Sequence, residues 1–277
     1  MRGGFCGLVL LAGCVVMLVQ VGPIQAAPVS GGRYVAMGSS YAAGPGVTTS
    51  ADQPSTRCAR SANNYAHQVA RRLGLDLVDA SCSGATTANV LMPWRELPAQ
   101  VAAVTPDTQL VTMTIGGNDL NFVGNLNAVS CQAVQGAACP TVQPPTDDSY
   151  VAVERALHGI VAAVRARAPQ AWIVFVEYPA VLPASGHCAR TPMTDNEADR
   201  LRTTAARLVE ITDRVAQAEK ADVVHFAQIS AGHDACAADP WISGYLDASG
   251  QRERVAYHPN LEGMTAVADA LVKVLGK

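Results

Sequence analysis

Polar and apolar positions along the chain fall into two alternating rhythms. Short β-type runs occur at residues 34–37, 75–80, 108–115, 172–176 and 222–226. The run at 172–176 (Trp-Ile-Val-Phe-Val) is apolar throughout, as expected of a strand covered on both faces of a parallel sheet. Between these runs, apolar residues recur at three and four. Tyr65, Val69 and Leu73 fall on one face of a helix over 63–73, which Gly74 closes. Val151, Ala156, Ile160, Val161 and Val164 mark a helix over 150–166. Thr194-Asp195-Asn196-Glu197 has the form of a capping box and opens a helix running to about Ala221. Asn260 caps a last helix over 261–275. The segment 90–104 has mixed helical spacing broken by Pro93 and Pro98, and 121–147 reads as a stapled insertion with two cysteines and a Pro-Pro step. Residues 45–60, 179–193 and 227–257 read as loops.

The resulting order is β, α repeated five times. Strict alternation implies a parallel sheet with helices on both faces, an α/β class. Right-handed crossovers narrow this to a flavodoxin-like three-layer α/β/α sandwich of about five strands. No internal repeat or second domain boundary interrupts 27–277.

The first 26 residues read differently. Arg2 is the only charge before Arg33, and an apolar run from Phe5 to Val21 leads to Gly22-Pro23-Ile24-Gln25-Ala26. This is the pattern of a secretory signal peptide cleaved after Ala26. A retained membrane anchor and a lipoprotein lipidated at Cys14 are the alternatives. Pro23 argues against the first, and continuation of the apolar run past Cys14 against the second. Six cysteines follow residue 26: Cys58, Cys82, Cys131, Cys139, Cys188 and Cys236. An even number in an exported chain implies disulfides. Cys131–Cys139 is the easiest local pair; the remaining connectivity stays open. With 20 basic and 23 acidic residues and no basic patch, nucleic acid is excluded as a partner. There is no Cys-x-x-Cys and no His-Glu-x-x-His, so no metal or cofactor is expected.

Candidate chemistry lies in the turns after the strands. Those turns share the carboxyl edge of a parallel sheet, where ligands bind. They carry Gly38-Ser39-Ser40-Tyr41, Ser83-Gly84, Gly116-Gly117-Asn118-Asp119 and, after the last strand, His258-Pro259. A serine with a histidine supplies a nucleophile and its base. A backbone N–H with an asparagine amide supplies an oxyanion hole. Any one of these blocks alone is ordinary turn chemistry. Together, in this order, they resemble the SGNH hydrolases, also called GDSL esterases and lipases, across almost the whole mature chain.

The resemblance implies that Ser40 attacks an ester carbonyl and that His258 takes its proton. It implies an oxyanion hole of the Ser40 and Gly84 N–H groups and the Asn118 amide. The chain looks most like the secreted actinobacterial branch with three disulfides, which implies the sequential pairing Cys58–Cys82, Cys131–Cys139 and Cys188–Cys236. The expected protein is therefore a secreted, monomeric esterase or lipase acting on small-molecule or lipid esters, with transient contact with lipid surfaces. Low aromatic content (5%) offers no carbohydrate-binding platform. A carbohydrate O-acetyl esterase or acyltransferase using the same residues, and a non-catalytic ligand-binding module, are the rival expectations.

Two departures from the family pattern stand out. Ser39 replaces the Asp that precedes the nucleophile, and Val255 replaces the Asp three residues before the histidine. An aliphatic side chain cannot accept a hydrogen bond from imidazole. The expectation is a Ser40–His258 dyad with the backbone carbonyl of Val255 orienting the ring, or else a carboxylate from Glu253 or Asp247.

Overall fold

In the computed structural model of the protein, residues 27–276 are described together with Met1, Gly3 and Gly4. The apolar leader and Cys14 lie outside the described residues. Five strands, β1 (Arg33–Gly38), β2 (Asp76–Asp79), β3 (Thr108–Thr114), β4 (Trp172–Val176) and β5 (Asp222–Val224), pair in the order β2-β1-β3-β4-β5. Every pairing is parallel. β1 lies between the edge strand β2 and the central strand β3, so the turn after it is flanked by the ends of both.

Strand alternation sorts the core into two layers. Tyr34, Ala36, Leu110, Val174 and Val176 face one side. There they pack against Tyr65 and Val69 of α2 (Tyr65–Leu73) and Val267 and Leu271 of α8 (Leu261–Val274). Val35, Met37, Val111, Met113, Ile173 and Phe175 face the other side. That layer is closed by α5 (Asp147–Arg167) and α6 (Asp195–Glu219) through residues such as Ile160, Val164, Ile211 and Val215. The capping residues act as their types suggest. Asn64, Thr194 and Asn260 each accept a hydrogen bond from the first turn of α2, α6 and α8.

Three sequence expectations need correction. The segment 121–147 is not an irregular insertion: it holds a helix, α4 (Phe122–Gln135). Phe122, Leu126 and Val129 bury one stripe of it. The start is hidden in the sequence because Asn121, at φ 48°, is left-handed and makes no side-chain cap. The segment 90–104 resolves into a short helix, α3 (Thr87–Leu91), and a 3-10 turn (Gln100–Ala103). The last strand stops at Val224, and Phe226 opens a one-turn helix, α7 (Phe226–Ile229). The disulfides are Cys58–Cys82, Cys131–Cys139 and Cys188–Cys236.

Candidate active site

The site is built from the end of β1 outward. Gly38 has φ 129°, and a Cβ there would lie 2.4 Å from the Thr114 carbonyl oxygen, so only glycine lets β1 turn this close to β3. The Gln100 side chain grips the same residue twice. Gly38 N–H donates to Oε1 (2.7 Å) and Nε2 donates to the Gly38 carbonyl (3.0 Å). A turn held this firmly delivers Ser39 and Ser40 into α1 (Ser40–Ala43).

The two serines have separate environments. Ser39 is fully buried. Its Oγ bonds the Tyr178 hydroxyl at 2.9 Å, and that hydroxyl also accepts the Gly117 N–H at 3.1 Å. Burial pushes the Tyr178 phenol up to about 12, so it stays a neutral donor. Ser40 Oγ instead meets His258 Nε2 at 2.8 Å. Thus the serine that the family frame selects is the one paired with the histidine.

The other ring nitrogen decides the tautomer. His258 Nδ1 lies 2.8 Å from the Ala256 carbonyl oxygen. A carbonyl can only accept, so Nδ1 carries the hydrogen and the Nε2 lone pair is left for the Ser40 hydroxyl. Burial pulls the His258 pKa below its ordinary value, and the Ala256 bond opposes this by favouring the charged ring.

This corrects the expectation for Val255, because the orienting carbonyl belongs to Ala256. Tyr257 sits at φ 63°, a left-handed conformation uncommon for a bulky residue. That bend folds the main chain back so that the Ala256 carbonyl meets the ring two residues on. Tyr257 is held there from both ends. Its hydroxyl bonds Ser130 Oγ, and its carbonyl accepts from the Tyr41 hydroxyl. The Val255 carbonyl is occupied by Ser243 Oγ at 2.8 Å. The Asp247 carboxylate accepts from Ser249 and Gln251 in its own turn. No carboxylate hydrogen-bonds His258 among the described residues.

The three expected oxyanion donors come from three strand ends. Gly84 takes φ 84° and follows Cys82, whose N–H donates to the Gly38 carbonyl at 3.0 Å. Cys58–Cys82 and the bond from Ser83 N–H to the Cys58 carbonyl (3.0 Å) pin this loop beside β1. Asn118 Nδ2 donates to the Ala85 carbonyl at 2.8 Å, which fixes the amide and leaves its second hydrogen free. The N–H groups of Ser40 and Gly84 have no hydrogen-bond partner among the described residues. Asp119 works at a distance, accepting from the Thr87 N–H and hydroxyl at the start of α3.

Sequence reasoning did not find the aromatic wall. The Tyr41 ring lies 5.0 Å from the His258 ring at 31°, and 4.5 Å from Tyr178. Tyr41 could have been suspected from its place beside Ser40; Tyr178 carries no local signal. A cavity of about 290 Å³ opens beside His258, where Val47, Ile242 and Leu246 share the walls with Arg190, Asp247, Glu253 and Arg254; Ser40, Gly84 and Asn118 do not line it. Residues 121–147 do not line this cavity.

Residues 36–266 match the GDSL-like lipase/acylhydrolase family. The chain is also 34% identical over 271 residues to lipase 2 of Streptomyces coelicolor, covering 92% of this chain and 88% of that one. The chain belongs to the GDSL-like lipase/acylhydrolase family. Solved structures agree. Phospholipase A1 from Streptomyces albidoflavus superposes with a TM-score of 0.71 at 25% identity, covering 88% of this chain and 99% of that one. The extracellular lipase from Streptomyces rimosus gives 0.69 at 25% identity, covering 87% and 99%. Within the family frame, carboxylic ester hydrolysis is the reaction class of this chain.

Proposed function

We propose that the protein is a secreted serine ester hydrolase with Ser40 as nucleophile and His258 as its base. The observation that carries the reading is the 2.8 Å contact between Ser40 Oγ and His258 Nε2, with Nδ1 committed to a carbonyl. Ser40 Oγ attacks the ester carbonyl carbon while its proton passes to Nε2. The oxyanion accepts hydrogen bonds from the N–H groups of Ser40 and Gly84 and from Asn118 Nδ2. The tetrahedral intermediate collapses, the C–O bond to the alcohol breaks, and Nε2 returns the proton to the leaving oxygen. Water then attacks the acyl-Ser40 ester with His258 again as base, releasing the acid.

A neutral carbonyl stabilises imidazolium less than a carboxylate would. The Tyr41 ring beside His258 supplies part of the difference, since an aromatic face attracts a cation by about 0.5–2 kcal/mol. Lipid carboxylic esters are the substrate class, supported by the names of the relatives, lipase and phospholipase A1. Export is supported by the pairing of all six cysteines after residue 26 and by the extracellular relative. The test is an ester panel, from short nitrophenyl esters to phospholipids and acetyl-glycans, on the mature protein and on Ser40→Ala. Equal hydrolysis by the two, or no fluorophosphonate labelling of Ser40, would overturn the reading. Turnover confined to acetyl-glycans would replace the substrate class.

A further inference from the structure

Away from the dyad, three side chains from three elements converge at the other end of the sheet's carboxyl edge. Glu177 follows β4, His225 precedes α7, and Asp213 lies on α6. One ligand atom from each lies within 4.8 Å of the others. The Glu177 side chain is 2% exposed. Its Oε2 accepts from the Ala227 N–H at 3.1 Å, which turns Oε1 toward His225 Nδ1 at 2.9 Å. Asp213 Oδ1 lies 3.5 Å from the same nitrogen. That oxygen is shielded from solvent and accepts no hydrogen bond.

With both carboxylates ionised, a protein-only explanation leaves a remainder. A proton on His225 Nδ1 can point at one oxygen, and it points at Glu177. Asp213 Oδ1 is then a shielded acceptor facing a second carboxylate without a donor of its own, an arrangement that costs free energy. A divalent cation at the centre would satisfy all three atoms. Ligand distances of about 2.0–2.2 Å in a tetrahedral site place neighbouring ligand atoms about 3.3–3.6 Å apart. Of the two separations at Nδ1, that to Asp213, 3.5 Å, lies in this range, and that to Glu177, 2.9 Å, has to lengthen by about 0.4 Å to admit the ion.

We propose that Glu177 Oε1, Asp213 Oδ1 and His225 Nδ1 form a binding site for a divalent cation of the zinc class. One imidazole nitrogen with two carboxylate oxygens suits such an ion better than magnesium or calcium, which prefer oxygen alone. His225 and Asp213 are partly exposed, 58% and 41%, so the ion enters from solvent and water completes its coordination. Binding ties the end of β4 to the body of α6 and the start of α7, one residue before Tyr178, whose hydroxyl holds Ser39. None of the three ligands hydrogen-bonds Ser40, His258 or Asn118, so the effect is on stability rather than on the chemical step.

The test uses the mature protein, stripped with EDTA and dialysed, and titrated with zinc chloride by calorimetry at pH 7.5. One equivalent is expected to bind, with a Tm that rises with zinc concentration and falls back on chelation. His225→Ala and Asp213→Asn should each weaken binding by about tenfold or more, and Asp213→Asn, which leaves the Glu177–His225 pair in place, should keep the metal-free Tm and circular dichroism. His258→Ala should bind as the parent does. No saturable uptake would overturn the proposal. So would unchanged uptake by His225→Ala, which would assign the ion to other histidines, or saturation by calcium but not zinc.

Discussion

Asn118→Ala separates chemistry from architecture at this site. The amide has two hydrogens, and one is spent on the Ala85 carbonyl at 2.8 Å. The other is the donor that the proposed mechanism offers to the oxyanion. Loss of one such donor lowers kcat by about 10²–10³, or 2.7–4 kcal/mol. The same truncation strips the Ala85 carbonyl of its partner, which costs about 1 kcal/mol of stability. For a domain of this size that lowers Tm by about 2–4 °C. A protein stable by about 5–15 kcal/mol stays folded after such a loss, so unfolding cannot account for the fall in rate. The expected result is kcat down by two to three orders of magnitude, KM nearly unchanged and a small Tm shift. Asn118→Asp should fall below the alanine variant, because it turns an acceptor toward both the oxyanion and the Ala85 carbonyl. Steady-state kinetics on a soluble nitrophenyl ester, with Tm measured on the same samples, provides the assay. A kcat within about fivefold of the parent for Asn118→Ala, or Asn118→Asp above it, would refute the assignment.

Three further outcomes follow from the geometry. His258 must be neutral to act as base, and burial lowers its pKa. The acid limb of kcat/KM should therefore have its midpoint below the ordinary 6.5 and a plateau through neutrality; a midpoint at 7 or above would contradict this. Glu253→Gln and Asp247→Asn should each retain activity within about twofold, since Nδ1 is bonded to a backbone carbonyl; a loss approaching that of His258→Ala would show a carboxylate behind the ring. Replacing Cys58 and Cys82 by alanine, across a separation of 24 residues, should cost about 3.5 kcal/mol by loop entropy and also lower kcat, because the Gly84 loop is released. The Cys131/Cys139 double variant, across a separation of 8, should lose about 2.6 kcal/mol and leave kcat unchanged.

The strands and the long capped helices were legible because each carries a periodic signal and a terminal residue that makes the hydrogen bond its type suggests. Thr194 with Glu197 is a full capping box, and Asn260 caps α8 through Gly263. Helix α4 was not legible: its start is a left-handed asparagine, and its sequence neighbourhood is filled with the glycine, proline and cysteine of a loop. The candidates Ser40, Gly84, Asn118 and His258 stood out in the sequence not singly but through the order of their four turns after the strands. The orienting carbonyl did not, since every residue has one. Only the positive φ of Tyr257 decides that Ala256 rather than Val255 presents it, and a tyrosine gives no sign of that conformation. Ser39 reads as a loss against the family's aspartate, yet its hydroxyl has a buried partner, Tyr178, some 139 residues away.

The Ala256 carbonyl has a consequence for how this enzyme can vary. A saturation screen for inactive variants would return Ser40, His258 and Asn118, and it would pass over position 256, where any side chain that fits leaves the carbonyl oxygen unchanged. The third partner of the dyad is thus invisible to genetics at its own codon. It is exposed instead at Tyr257, Ser130 and Tyr41, whose contacts hold the bend that aims it.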